Sequence, residues 1–452
     1  MPRHWKKHFL LMVSYIFYGF WDWRFCFLIL FSTVLDFVIG QKIHATEDDT
    51  QRKRLLSISV IGNLGVLVFF KYFHFFTDSF IQLMNNLGWQ ADFIQLHLIL
   101  PVGISFYTFQ TLSYTIDIYR KKLQPTTSFS SFALFVAFFP QLVAGPIERA
   151  RDLLPQLKTL DLPTRTQFKE GFIFITFGLT LKMIFADNAG QVVNLVFANP
   201  QNHSTTELLI APFLFLIQVY GDFAGYSLVA RGVAKMLGVE LMVNFKQPLL
   251  STNYTSFWRR WHISLYQWFR EYLYIPLGGS RKGIFRTYLN ILIIMTLLGL
   301  WHGSSWTFVI WGFLNGVILA FDKFWSDNII QRKEVSQRFR FSQFPKIALT
   351  VLTFSATLII FRSYSFSKAV NYFQQLFLFN DFSISTRISL TTAFVVGFIY
   401  AIDITYEKFD GNAAFLLKMN STTQHAILVA IWLVLAILLF SFQPETYYYY
   451  QF

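Results

Sequence analysis

Apolar residues gather in long uninterrupted stretches at roughly 9–20, 25–40, 58–76, 98–118, 131–144, 171–186, 208–229, 287–301, 306–322, 347–361, 390–405 and 425–441. Helical crossing of a hydrocarbon core of about 30 Å takes about 20 residues, and several of these stretches fall short of that. Short stretches extend with flanking aromatics, thin the bilayer, or enter without crossing. No internal repeat, proline- or serine-rich linker or soluble-length polar segment divides the chain. The pattern predicts one all-α polytopic membrane domain over 1–452, with about eleven transmembrane helices plus re-entrant or interfacial ones. The first stretch follows Arg3, Lys6 and Lys7 like a signal peptide, but it lacks a small-residue cleavage site and leads straight into another apolar stretch, so it is read as structure.

Composition supports this reading. Of 452 residues 54% are hydrophobic, 19% aromatic and 14% charged, where an ordinary soluble domain carries about a quarter charged. A single cysteine, Cys26, excludes an intramolecular disulfide and any cysteine-based zinc cluster. The net charge of +13 is not pooled on one polar domain, so nucleic acid is not an expected partner. The blocks 41–54, 120–122, 146–170, 231–286 and 323–346 hold 27 of the 38 Lys and Arg, while connectors 77–97 and 187–207 hold none. Positive-inside bias places the five blocks in the cytoplasm and the two bare connectors outside. Stretch 131–144 lies between two inside blocks and ends at Gly145-Pro146. It is expected to be re-entrant, provided that protein buries its broken backbone.

Candidate chemistry concentrates in the hairpin of stretches 287–301 and 306–322. Its turn reads Gly299-Leu300-Trp301-His302-Gly303-Ser304-Ser305-Trp306. Sixteen residues of helix from Arg286 raise His302 by about 24 Å, into the outer half of the bilayer. An ionisable residue at that depth is a functional candidate. A histidine bonded between closely packed helices is the competing reading, and the small-xxx-small spacings Gly299/Gly303 and Gly312/Gly316 suit it. The residues alone leave both open. His262 lies in Phe257-Trp258-Arg259-Arg260-Trp261-His262-Ile263-Ser264-Leu265. On one helix Trp258, His262, Leu265 and Phe269 form a stripe, which predicts an amphipathic segment at the headgroups. The turn Ile275 to Gly283 adds Gly278, Gly279, Arg281 and Lys282, which suit a phosphate but equally an ordinary turn beside anionic lipid. Asp222 lies about 14 Å into the membrane, counted from Arg231. It is expected to orient a histidine, to position a substrate or, more simply, to partner a Tyr or Arg. No zinc-binding, Walker, dinucleotide or nucleophile-elbow motif is present, and no metal is expected.

These motifs resemble the membrane-bound O-acyltransferase (MBOAT) family. The resemblance rests on Asn244-Phe245, on Phe257 through Leu265 and on Tyr272 to Gly279. It extends to Leu300-Trp301-His302-Gly303, Leu100 to Phe109, Phe139 to Ile147 and Tyr220 to Tyr226, and so covers nearly the whole chain. The branch it fits best is the bacterial alginate O-acetyltransferase membrane subunit, which usually carries one more apolar helix before a segment like Pro2-Arg3-His4-Trp5. The resemblance implies that His302 is catalytic and that His262 supports the donor side. It implies acetyl-CoA as donor, docked near Trp258, Arg259, Arg260, Arg281 and Lys282, with no resident cofactor. It further implies the bacterial inner membrane, a periplasmic or surface SGNH-type acyltransferase partner and a polysaccharide acceptor, whether alginate-like, another exopolysaccharide, cellulose or peptidoglycan. The rival from another class is a transporter or flippase with His302 and Asp222 as a relay, which the absence of an inverted repeat disfavours.

Overall fold

A computed structural model describes residues 3–89, 96, 98–143, 145–330, 339–408, 416, 419 and 421–441. Among them every regular element is helical. Eight helical stretches are long and apolar enough to cross a membrane by length and composition. The Trp5–Ala45 stretch doubles back: Cys26 Sγ lies 3.7 Å from the carbonyl of Tyr15, eleven residues earlier, across the turn Trp23–Phe25. Helices Ile104–Tyr119 and Thr422–Ile437 are shorter than the other stretches. The described chain forms two compact units, Met1–Gln167 with Ala234–Met242, and Phe168–Val233 with Val243–Phe452.

In the first unit a buried carboxylate ties helices together. Asp36, on Cys26–Ala45, accepts from Ser59 Oγ at 2.5 Å and Asn63 Nδ2 at 2.8 Å on Asp49–Leu67. Ser59 Oγ also lies 3.0 Å from Thr115 Oγ1 on Ile104–Tyr119. Burial of an acid in apolar surroundings is tolerable only with such partners. The 131–144 stretch is broken into Phe129–Ala137 and Phe139–Leu142, and residues 131–138 are all buried. Gln110 and Gln141 both donate to the carbonyl of Phe135, at 2.5 and 3.2 Å. Ser14 Oγ receives the amide of Phe139 at 3.2 Å. Protein groups therefore satisfy the interruption, as a re-entrant element requires.

In the second unit, Arg165–Ala198 and Thr205–Met236 touch backbone to backbone at Gly178 and Gly225. A Cβ on Gly225 would lie 2.6 Å from the carbonyl oxygen of Gly178, so glycine is required for the approach. The helices Ile284–His302 and Trp306–Trp325 form the expected hairpin, followed by Phe344–Arg362, Phe366–Phe377 and Thr386–Lys408. Their ends sort into two groups. Connector 187–207 bonds to the 362–385 region, through Arg362 Nη2 to Asn194 Oδ1 at 2.9 Å and Thr206 Oγ1 to the carbonyl of Phe382 at 2.8 Å. At the opposite ends of the helices, Arg260 pairs with Glu407 at 3.2 Å and Thr255 Oγ1 donates to Asp322 at 2.6 Å.

Candidate active site

Close packing of the hairpin sets His302. A Cβ on Gly299 would fall 2.9 Å from the nitrogen of Gly312, and one on Gly312 would fall 3.0 Å from the nitrogen of Gly299. A Cβ on Gly303 would run into the ring of Phe308. The small-residue spacing therefore brings the helices together beside His302, the last residue of its helix. Three rings surround the imidazole: Trp301 at 5.2 Å, Trp311 at 5.4 Å and Phe361 at 5.4 Å, all edge-on. Trp311 is fixed by its Nε1 donating to Thr357 Oγ1 at 3.2 Å and by its carbonyl accepting from Asn315 Nδ2 at 2.7 Å. Tyr254 closes the network with a hydrogen bond to Asn315 Oδ1.

His262 reaches the same place by a different route. The predicted amphipathic helix is broken: Tyr254–Arg260 and Ile263–Phe269 are separate helices, and His262 between them has φ +43°. A β-carbon residue in the left-handed region needs support from its surroundings. Segment 244–246 supplies it. The amide of Lys246 donates to Arg260 at 2.9 Å and that of Ile263 to Asn244 at 2.8 Å. Asn244 Oδ1 accepts from Ser264 N and Oγ at 3.2 and 2.9 Å, while its Nδ2 donates to Ser227 Oγ at 3.2 Å. The His262 ring packs on the edge of Phe223 at 4.5 Å, parallel to Phe245 at 6.3 Å, and 5.6 Å from Trp301. Both of its ring nitrogens are buried without a hydrogen-bond partner among the described residues. Burial, and secondarily His302 beside it, hold its proton affinity well below the ordinary histidine range. One narrow pocket is lined by both histidines together with Trp258, Trp261, Leu265, Tyr266 and Leu298. A neutral imidazole in such a place accepts one proton at one nitrogen and donates one at the other.

The single amphipathic helix predicted for the Trp258 stripe is therefore corrected to two short helices whose apolar side is covered by protein. Trp258, His262, Leu265 and Phe269 are all buried, because the stripe packs inward on residues such as Trp311 and Phe354, 6.1 and 5.7 Å from Trp258. Of the proposed donor-side residues only Trp258 lines the histidine pocket. Arg260 is engaged with Glu407 and the carbonyl of Gln247, and Arg259, Arg281 and Lys282 are exposed. The carboxylate of Asp222 meets Lys182 Nζ at 2.9 Å, and Lys182 also reaches Asp187 at 2.7 Å. Lys182 and Asp187 were readable as ionisable residues in and beside the apolar stretch 171–186. Asn244 was visible only within the motif, with no sign of its bonds to Ser264.

Residues 120–367 match the membrane-bound O-acyltransferase family. The chain is 40% identical over 387 residues, 85% of its length and 77% of the relative's, to the "Probable alginate O-acetylase" of Pseudomonas putida. It is 35% identical to the "Peptidoglycan O-acetyltransferase" of Helicobacter pylori over 78% of this chain and 69% of that one. The "Teichoic acid D-alanyltransferase" of Streptococcus thermophilus is more distant, at 29% over 50% of this chain and 57% of the relative. A narrow pocket lined by two histidines in a polytopic helical chain thus sits inside the matched region, and the protein belongs to the membrane-bound O-acyltransferase family and is an O-acyltransferase.

Proposed function

We propose that the protein moves an acetyl group from cytoplasmic acetyl-CoA across the bacterial inner membrane for O-acetylation of an extracytoplasmic polysaccharide. The observation that supports this is that His262 and His302 line one narrow pocket. The acceptor hydroxyl attacks the thioester carbonyl. A new O–C bond forms and the C–S bond breaks. His302 takes the hydroxyl proton and returns it to the departing thiolate, a role that suits imidazole near neutral pH. His262, closed in by Phe223, Phe245 and Trp301, supports the donor side. The basic residues Arg259, Arg281 and Lys282 draw the anionic donor to the cytoplasmic face.

An alginate-like polymer is the acceptor that the more similar relatives' names favour, with peptidoglycan as the alternative of identical chemistry. The hydroxyl that attacks the thioester belongs to an SGNH-type acyltransferase on the outer side; a polymer hydroxyl then attacks that enzyme's acetyl ester, taking the acetyl group and freeing the enzyme's hydroxyl. The test uses the purified protein in liposomes with radiolabelled acetyl-CoA. Loss of label from the donor, as acetate or ester, is expected for the wild type and is expected to fall about 10²–10⁴-fold in His302→Ala. Equal rates with the variant folded would overturn the role of His302.

A further inference from the structure

The helix Phe366–Phe377 joins the end of Phe344–Arg362 to the start of Thr386–Lys408, so it runs beside one end of two membrane-crossing helices. Its residues divide three ways at about 100° per residue. Ala369, Tyr372 and Leu376 form the face against the protein. There Tyr372 stacks on Phe197 at 4.6 Å, and its hydroxyl donates to the carbonyl of Leu208 at 2.8 Å. Phe366, Val370, Phe373 and Phe377 form a second stripe about 60° wide. Phe366 is 56%, Val370 38% and Phe377 65% exposed. Ser367, Lys368, Asn371, Gln374 and Gln375 fill the remaining arc, and they include the helix's only formal charge.

The apolar stripe does not stop with the helix. Phe373 stacks on Phe377 at 6.4 Å, Phe377 meets Phe379 at 6.2 Å, and Phe379 stacks on Phe382 at 6.5 Å. Phe379 holds φ +50°, a conformation that bulky residues avoid. Beyond it, exposed Leu390, Phe394 and Phe398 repeat every four residues along Thr386–Lys408, the spacing of the lipid-facing side of a crossing helix.

We infer that Phe366–Phe377 is an interfacial helix, with its Phe366–Phe377 stripe seated among lipid acyl chains and its Gln374 side in water. A soluble partner would meet a charge-free stripe that continues into a lipid-facing one. A bilayer surface instead matches both the apolar stripe and the polar arc beside it. The helix begins four residues after Arg362, whose neighbour Phe361 packs on His302. The bilayer therefore seats the chain that flanks the candidate catalytic histidine. Its place in the outer leaflet rests on the proposed topology; the lipid contact does not.

Nitroxides placed by Val370→Cys, Phe377→Cys and Gln374→Cys in a Cys26→Ala protein in liposomes test it by accessibility. Relaxation by oxygen at 370 and 377, and by a water-soluble nickel chelate only at 374, is expected. Nickel access at 370 and 377 equal to that at 374 would overturn the lipid contact in favour of a wet surface. Exclusion of both reagents there would overturn it in favour of a protein partner. A membrane-impermeant maleimide applied to Gln374→Cys in right-side-out and inverted vesicles reads the leaflet separately. Labelling only in inverted vesicles would overturn the outer-leaflet placement and the proposed topology, whatever the nitroxides report.

Discussion

His262 is a histidine whose ring sits among Phe223, Phe245 and Trp301 and whose nitrogens meet no hydrogen-bonding group among the described residues. Its proton affinity in the folded state is depressed by burial and by His302. The unfolded chain therefore binds more protons, and stability attributable to this residue is lost as pH falls below about 6.5. In His262→Phe the acid-side fall in the melting temperature of the detergent-solubilised protein is expected to shrink; an unchanged profile would show that His262 does not titrate in that range. Asn244→Ala removes the oxygen that accepts from the amide and hydroxyl of Ser264 and with it the brace of the His262 turn. A loss of about 1–3 kcal/mol is expected, measured as a lowered melting temperature. His302 stood out in the sequence as an ionisable residue at the end of an apolar stretch, while the residues alone left a catalytic and a packing role both open. The setting of His262 was not, since a left-handed residue breaking an otherwise amphipathic pattern leaves no periodic trace. Asn244 gave no signal of its own, because its partners are remote in sequence.

Among the elements, the 284–325 hairpin was the most readable, since two apolar stretches flank a short polar turn and glycines recur at four-residue spacing. Gly299→Val should separate the helices, at a cost of about 1–3 kcal/mol by overpacking. The check is the yield of folded protein and its melting temperature, together with loss of transfer as His302 shifts. That stretch 131–144 does not run as one long helix was legible from its position between two basic blocks, whereas the glutamines that satisfy its carbonyl were not. The segment 254–274 was misread because an amphipathic stripe says that one face is apolar, not whether lipid or protein covers it. The cluster of buried Lys182 and Asp222 with half-buried Asp187 joins Arg165–Ala198 to Thr205–Met236. Lys182→Met leaves the buried Asp222 carboxylate without this cation, and a loss of about 3–5 kcal/mol is expected. A melting temperature equal to the wild type's would show that the cluster is not holding these helices together.

For the whole molecule, the segments at each end of the helices are bonded to one another, 187–207 with 362–385 at one end, and 255–260 with 322 and 407 at the other. Composition alone separated this chain from soluble classes, and motif resemblance pointed to its family, which the comparisons establish. What the proposed function adds is direction: donor on the cytoplasmic side, acceptor outside, and one buried pocket between. The most direct measurement traps radiolabelled acetyl-CoA inside proteoliposomes of uniform orientation, with the cytoplasmic face inward and alginate oligosaccharide plus the outer acyltransferase supplied outside. Label is expected on the outer acceptor only when donor is inside and His302 is intact. Equal transfer with acetyl-CoA added outside, or transfer undiminished in His302→Ala, would contradict a vectorial reaction through this pocket.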